Sequence, residues 1–133
     1  MSYPRTNPFL RNALIADAVV SGATGLLMIA GASFLADLLN LPFALLREAG
    51  LILIPYVAFV AYVGTRETIS RSAVWVVIAA NILWAAGSIL LLLSGWIAPN
   101  LLGTAFIILQ AAAVALFGEL QFIGLRRPDA VAA

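Results

Sequence analysis

The chain contains no cysteine, no histidine and no lysine. Without cysteine there is no disulfide, no thiolate nucleophile and no thiolate-bound metal. Without histidine the commonest general base and metal ligand is missing. A nucleophile–base dyad or triad of the usual kind cannot be assembled from what remains. Charge is scarce too, at 10% of residues, where a soluble domain carries about 25%. A net charge of +1 gives no clustered cations for a phosphate backbone, so a nucleic-acid partner is not expected. The glycines are scattered along the chain and form no phosphate-cradling loop. A metal site would need oxygen ligands alone, and the carboxylates are not clustered for one. These absences point away from an enzyme and away from any cofactor or metal.

What is abundant is apolar. Hydrophobic residues make up 64% of the sequence. They fall into four runs, Ala13–Ala36, Leu41–Val63, Ser72–Leu93 and Leu101–Gly124. A hydrocarbon layer of about 30 Å needs about 20 apolar residues in a helix. In lipid each backbone N–H and C=O must be paired within its own segment, so the runs read as helices. The links are short, which predicts successive antiparallel neighbours. The expected fold is all-α, a transmembrane four-helix antiparallel bundle forming a single integral membrane domain over residues 1–133.

The punctuation agrees. Met1–Asn12 is a polar arm with Pro4 and Pro8. Ala30-Gly31-Ala32 resembles a signal-peptide cleavage site, but the first run extends past it and contains Asp17, so an uncleaved span is expected. Asn40, Ser70 and Asn100 stand where the next helix would be capped, and Pro42 suits a first turn. Gly64 and Gly95 suit helix ends, and Pro55 should kink the second span. A loose echo between Gly50–Gly64 and Gly103–Gly118 is compatible with a duplicated hairpin.

Arginine placement sets the expected orientation. Arg5, Arg11, Arg66, Arg71, Arg126 and Arg127 fall on one side of the four spans, and Arg47 alone on the other. Positive charge stays cytoplasmic, so both termini are expected inside, in the cell (inner) membrane. Tyr62, Trp75 and Trp96 sit near the expected interfaces.

The candidate functional residues are the polar ones within the runs: Asp17, Asn81, Gln110 and Glu119. Counted from the centres of runs one and four, Asp17 and Glu119 lie at similar depth, about 10 Å toward the cytoplasmic side. They read either as a proton- or cation-binding carboxylate pair, or as interfacial acids paired with Arg11, Arg66, Arg71, Arg126 or Arg127. Asp17, Ser21, Thr24 and Met28 share one helical face, beside a small-residue face of Ala18, Gly22, Gly25 and Ala32. That face reads as a packing seam or as a polar strip along a pathway. Asn81 and Gln110 lie near mid-span. They read as an interhelical clamp or, with Trp84 and Tyr56, as the frame of a small-ligand site.

The stretches Asn12–Gly22 and Gly118–Arg127 give the chain a resemblance to uncharacterised small bacterial four-span integral membrane proteins, a resemblance that implies no activity. The chain is also similar to small multidrug resistance transporters in length, span number and an acid in span one, here Asp17. That resemblance implies transport. The departures are the position of the acid, the loose Gly22-Ala23-Thr24 in place of a Gly-Thr pair, and the missing lysine. The expectation is a structural or interaction component of the membrane. Lipids, a second copy or another membrane protein would be its partners. The alternative is a small transporter using Asp17 or Glu119.

Overall fold

The computed structural model describes residues 8–127, so Pro4, Arg5 and the tail beyond Arg127 lie outside the described residues. Five helices follow in order: α1 Pro8–Ala30, α2 Ala32–Leu39, α3 Phe43–Thr65, α4 Arg71–Ser94 and α5 Leu101–Leu125. There is no strand among the described residues. Helices α1, α3, α4 and α5 are 23 to 25 residues long and apolar enough to cross a membrane. Each is about 35 Å at 1.5 Å per residue, against a hydrocarbon layer of about 30 Å. Leu83, Leu90, Leu93 and Leu109 point outward, each more than 60% exposed. An apolar exterior of this extent suits lipid and not water.

The first run differs from expectation. It is two helices and not one span from Ala13 to Ala36. Helix α1 starts at Pro8, a residue that tolerates a first turn because its missing N–H would be unpaired there. It ends before Gly31, whose φ of −104° and ψ of 18° depart from helical values. Helical bonding nevertheless passes across the bend: Gly31 N donates to Leu27 O at 2.7 Å and Leu35 N to Gly31 O at 2.8 Å. The short α2 then folds its buried Ala32, Leu35 and Leu39 onto α3 and α5.

Helix packing also departs from a simple succession of neighbours. α1 packs mainly on α3, and α4 on α5; the two pairs meet along α1 and α5, while α3 and α4 barely touch. Side-chain size explains the difference. Between α1 and α3, glycines let the backbones close. A β-carbon on Gly50 would stand 2.9 Å from Gly25 O, and one on Gly64 would stand 3.0 Å from Leu14 Cβ. Between α3 and α4, Ile52, Tyr56, Leu83 and Trp84 line open space instead.

Each end of the structure is tied by polar groups. Ser70 Oγ accepts from Ala73 N and Asn100 Oδ1 from Gly103 N, so two of the three expected caps form. Asn40 does not cap α3. It closes α2 in the left-handed conformation and donates to Ala98 O, while Asn100 donates to Leu38 O. At the opposite end Arg11 donates to Gly64 O and Glu67 O, and Arg71 donates to Leu125 O. These cations sit where the last carbonyls of α3 and α5 concentrate negative charge. Helix α3 continues on both sides of Pro55.

Candidate functional site

Along α1, Leu14 belongs to one apolar cluster and Met28 to another. Asp17 and Ser21 lie between them, one helical turn apart and buried. Ser21 Oγ donates to Asp17 Oδ1 at 2.8 Å. The other carboxyl oxygen gathers the remaining spans. Asp17 Oδ2 accepts from Gln121 Nε2 of α5 at 2.8 Å and from Asn81 Nδ2 of α4 at 3.2 Å. It lies 2.7 Å from the Tyr56 hydroxyl of α3. Asn81 Nδ2 also donates to Gln121 Oε1 at 2.9 Å, and the Tyr56 hydroxyl lies 2.7 Å from Asn81 Oδ1. Asp17 and Gln121 are 0% exposed and Asn81 2%. One carboxyl therefore joins all four long helices out of reach of water.

Gln121 reaches this point because its helix carries small residues one turn to either side. A β-carbon on Gly124 would lie 3.0 Å from Leu10 Cβ, and one on Gly118 would lie 3.3 Å from Asn81 Cβ. α5 thus lies tight against both α1 and α4, and a long amide fits between them. Sequence reasoning assigned Gln121 no role. The available signal was its spacing of three residues from a glycine on each side.

Two acceptors in the cluster share one hydrogen. The Tyr56 hydroxyl has one hydrogen and faces two oxygens at 2.7 Å, Asp17 Oδ2 and Asn81 Oδ1. Turning the Asn81 amide over does not help, because its oxygen would then face both Asp17 Oδ2 and Gln121 Oε1. The single hydroxyl hydrogen of Tyr56 can go to only one of the two at a time, so Asp17 and Asn81 compete for it. No arginine takes part.

The four candidate residues do not share a site. Asp17 and Asn81 meet. Asp17 also lies only two residues from residue 19, the centre of α1, or about 3 Å along the axis. The earlier start and end of α1 place it nearer the middle of its own helix than the first run did. Glu119 lies elsewhere. It is exposed on the outer face of α5, among Ile78, Ile82 and Phe122, and has no hydrogen bond or ion pair among the described residues. Neither the expected carboxylate pair nor the expected arginine pairing of either acid forms. The proposed arginine partners are engaged elsewhere: Arg66 and Arg126 lie over the rings of Tyr62 and Phe122, and Arg127 over Phe9.

Gln110 does not clamp Asn81. Gln110 Oε1 accepts from Trp84 Nε1 at 2.7 Å, and Gln110 Nε2 donates to Ser88 Oγ and Ile107 O, both at 2.9 Å. Gln121 takes the place beside Asn81, since Gln110 lies three turns away along α5. Beside this second polar group is a cavity of about 380 Å³, open along the gap between α3 and α4. A smaller space of about 120 Å³, lined by Ser21, Tyr56, Asn81 and Trp84, separates it from the Asp17 cluster. Trp84 and Tyr56 thus do border a cavity. Among the described residues, no group of three carboxylates gathers to hold a metal ion. No family model, curated protein or solved structure matches the chain.

Proposed function

We propose that the chain is a non-enzymatic, multi-pass protein of a bacterial inner membrane, its four spans antiparallel and both termini cytoplasmic. Its role is that of a structural or interaction component. The observation that carries this reading is the Asp17 cluster, in which a single buried carboxyl joins α1, α3, α4 and α5. Such a centre specifies one arrangement of helices, because a shifted span would leave buried polar groups unpaired. The arginine distribution supports the orientation. Reporter fusions at Ala133 and within the 96–100 link should report opposite sides of the membrane, the first cytoplasmic. A periplasmic C-terminus would overturn the orientation.

One observation favours a second reading, a small transporter that uses Asp17 as a proton-binding carboxyl. It is the one Tyr56 hydrogen for which Asp17 and Asn81 compete. Infrared difference spectroscopy separates the two. The signal to follow is a protonated-carboxyl stretch that is lost in Asp17→Asn. A band unchanged between mildly acidic and mildly alkaline buffer supports a fixed structural centre. A band that disappears and returns with pH supports the transporter and overturns the structural role.

A further inference from the structure

The cavity between α3 and α4 has a chemical bias that its mostly apolar lining conceals. Five polar side chains border it: Thr24, Glu48, Trp84, Ser88 and Gln110 from four helices, with Phe106 beside them. Each hydrogen that the neutral four can donate is already spent inside the protein. Thr24 Oγ1 donates to Val20 O, and Ser88 Oγ to Trp84 O, both at 2.8 Å. The indole hydrogen of Trp84 goes to Gln110 Oε1. The two amide hydrogens of Gln110 go to Ser88 Oγ and Ile107 O. What remains toward the cavity is acceptor capacity: spare lone pairs on Thr24, Ser88 and Gln110, and the carboxylate of Glu48. Glu48 receives one hydrogen bond, from Arg47 Nη2 at 2.9 Å on Oε2. Its Oε1 has no partner among the described residues.

An acceptor-only lining selects its ligand. A carboxylate, phosphate or ketone would bring oxygen lone pairs to a wall with no hydrogen to offer, leaving them desolvated and unpaired. A plain hydrocarbon would leave the wall's acceptors unsatisfied. A molecule with an apolar body and N–H donors satisfies both demands. Its ammonium would donate to Oε1 of Glu48 at the rim, whose Oε2 holds Arg47, and its apolar body would lie against the rings of Trp84 and Phe106. A volume of about 380 Å³ falls in the range of pockets for small organic molecules, about 300–1,000 Å³. The gap between α3 and α4 opens on the apolar exterior, so entry from the bilayer requires no helix to unfold.

We propose that this cavity binds a small hydrophobic amine in its protonated, N–H-bearing form. The inference goes beyond the structural role of the Asp17 cluster and does not depend on it. Three probes of one shape test it: 4-phenylbutylamine, its N,N,N-trimethyl derivative and 4-phenylbutyrate. Binding is measured by calorimetry on the full chain in phosphatidylcholine nanodiscs, with empty nanodiscs subtracted. The amine should bind, the trimethyl derivative should bind more weakly for want of N–H groups, and the carboxylate should not bind measurably. Glu48→Gln should weaken the amine about fivefold, the size of a partly exposed ion pair. Gly87→Leu should abolish binding. Gly87 lines the cavity and a β-carbon there meets nothing within 4 Å, so the variant fills the space without straining the fold. Equal binding of amine and carboxylate overturns the proposal. So does no amine binding to the wild type, or binding that survives Gly87→Leu.

Discussion

Asp17→Leu is expected to lower stability by about 2–4 kcal/mol, whereas Asp17→Asn should cost about 1 kcal/mol. Leucine leaves the Gln121 Nε2 hydrogen and the Ser21 hydroxyl without the acceptors they now use. A buried group stranded in this way costs about 1–3 kcal/mol. Leucine is also larger than aspartate, at a position that is 0% exposed, and overpacking adds to the loss. Asparagine keeps an oxygen to accept from Gln121 and Asn81, and with its amide turned it can donate to Ser21 Oγ. Interhelical hydrogen bonds inside membrane proteins average about 0.6 kcal/mol, so exchanging one acceptor of the set for a donor is a modest change. Thermal or denaturant unfolding in mild detergent checks the order. If Asp17→Leu melts with the wild type, the cluster does not hold the four helices in place.

The arginine-anchor reading makes a different forecast for that pair. A carboxylate held by a guanidinium would suffer almost as much from asparagine as from leucine, because both remove the charge. A wide gap between the two variants therefore marks a site satisfied by neutral donors. Tyr56→Phe removes the hydrogen that the carboxyl and Asn81 compete for and should sit between the two.

How far these contacts were legible in the sequence can be traced residue by residue. The four long apolar helices were legible, because span length follows from the thickness of the hydrocarbon layer. The Asp17–Ser21 face was legible from its spacing of four, and the burial of Asn81 from its mid-span position. The division of the first run at Gly31 was not, since the residues on both sides are equally apolar. That displaced the apparent centre of the helix and with it the position of Asp17 along it. The choice between Glu119 and Gln121 was also hidden. Two residues apart on a helix is about 200° of rotation, so the charged residue faces outward and the amide inward. Charge drew attention to the wrong one. The Gln110 assignment failed for a similar reason: matched depth does not specify a partner when α4 presents both Asn81 and Trp84 to α5. Side-chain reach across a gap depends on which backbones close together. Here that was decided by single glycines whose neighbours lie far away in the chain.

The closeness of α1 and α3 carries the second large effect. Gly50→Leu is expected to destabilise the fold by about 3 kcal/mol, the upper part of the overpacking range. A β-carbon at Gly50 would lie 2.9 Å from both Gly25 O and Ile29 Cγ1, and 3.1 Å from Met28 Cβ. The first of these is backbone and cannot swing aside, so the two helices must separate. Separation forfeits the packing that replaces a hydrophobic driving force between helices in lipid. Gly25→Leu should act in the same direction but less strongly, since its β-carbon meets Leu53 Cβ at 3.2 Å and Gly50 O at 3.4 Å. Gly87→Leu is the control within a helix: with nothing within 4 Å, it should melt at or above the wild-type temperature, because leucine has the better helix propensity by somewhat under about 1 kcal/mol. Gly95→Leu should fall between. It has open space, but its φ of +82° suits glycine, and a side chain there costs about 1 kcal/mol. The diagnostic comparison is Gly50 against Gly87. Both are helical glycines, and a loss common to both would reflect leucine in a helix and not a close crossing. A loss confined to Gly50 and Gly25 places the tight contact between α1 and α3. The α3–α4 side then remains open to a molecule from the bilayer.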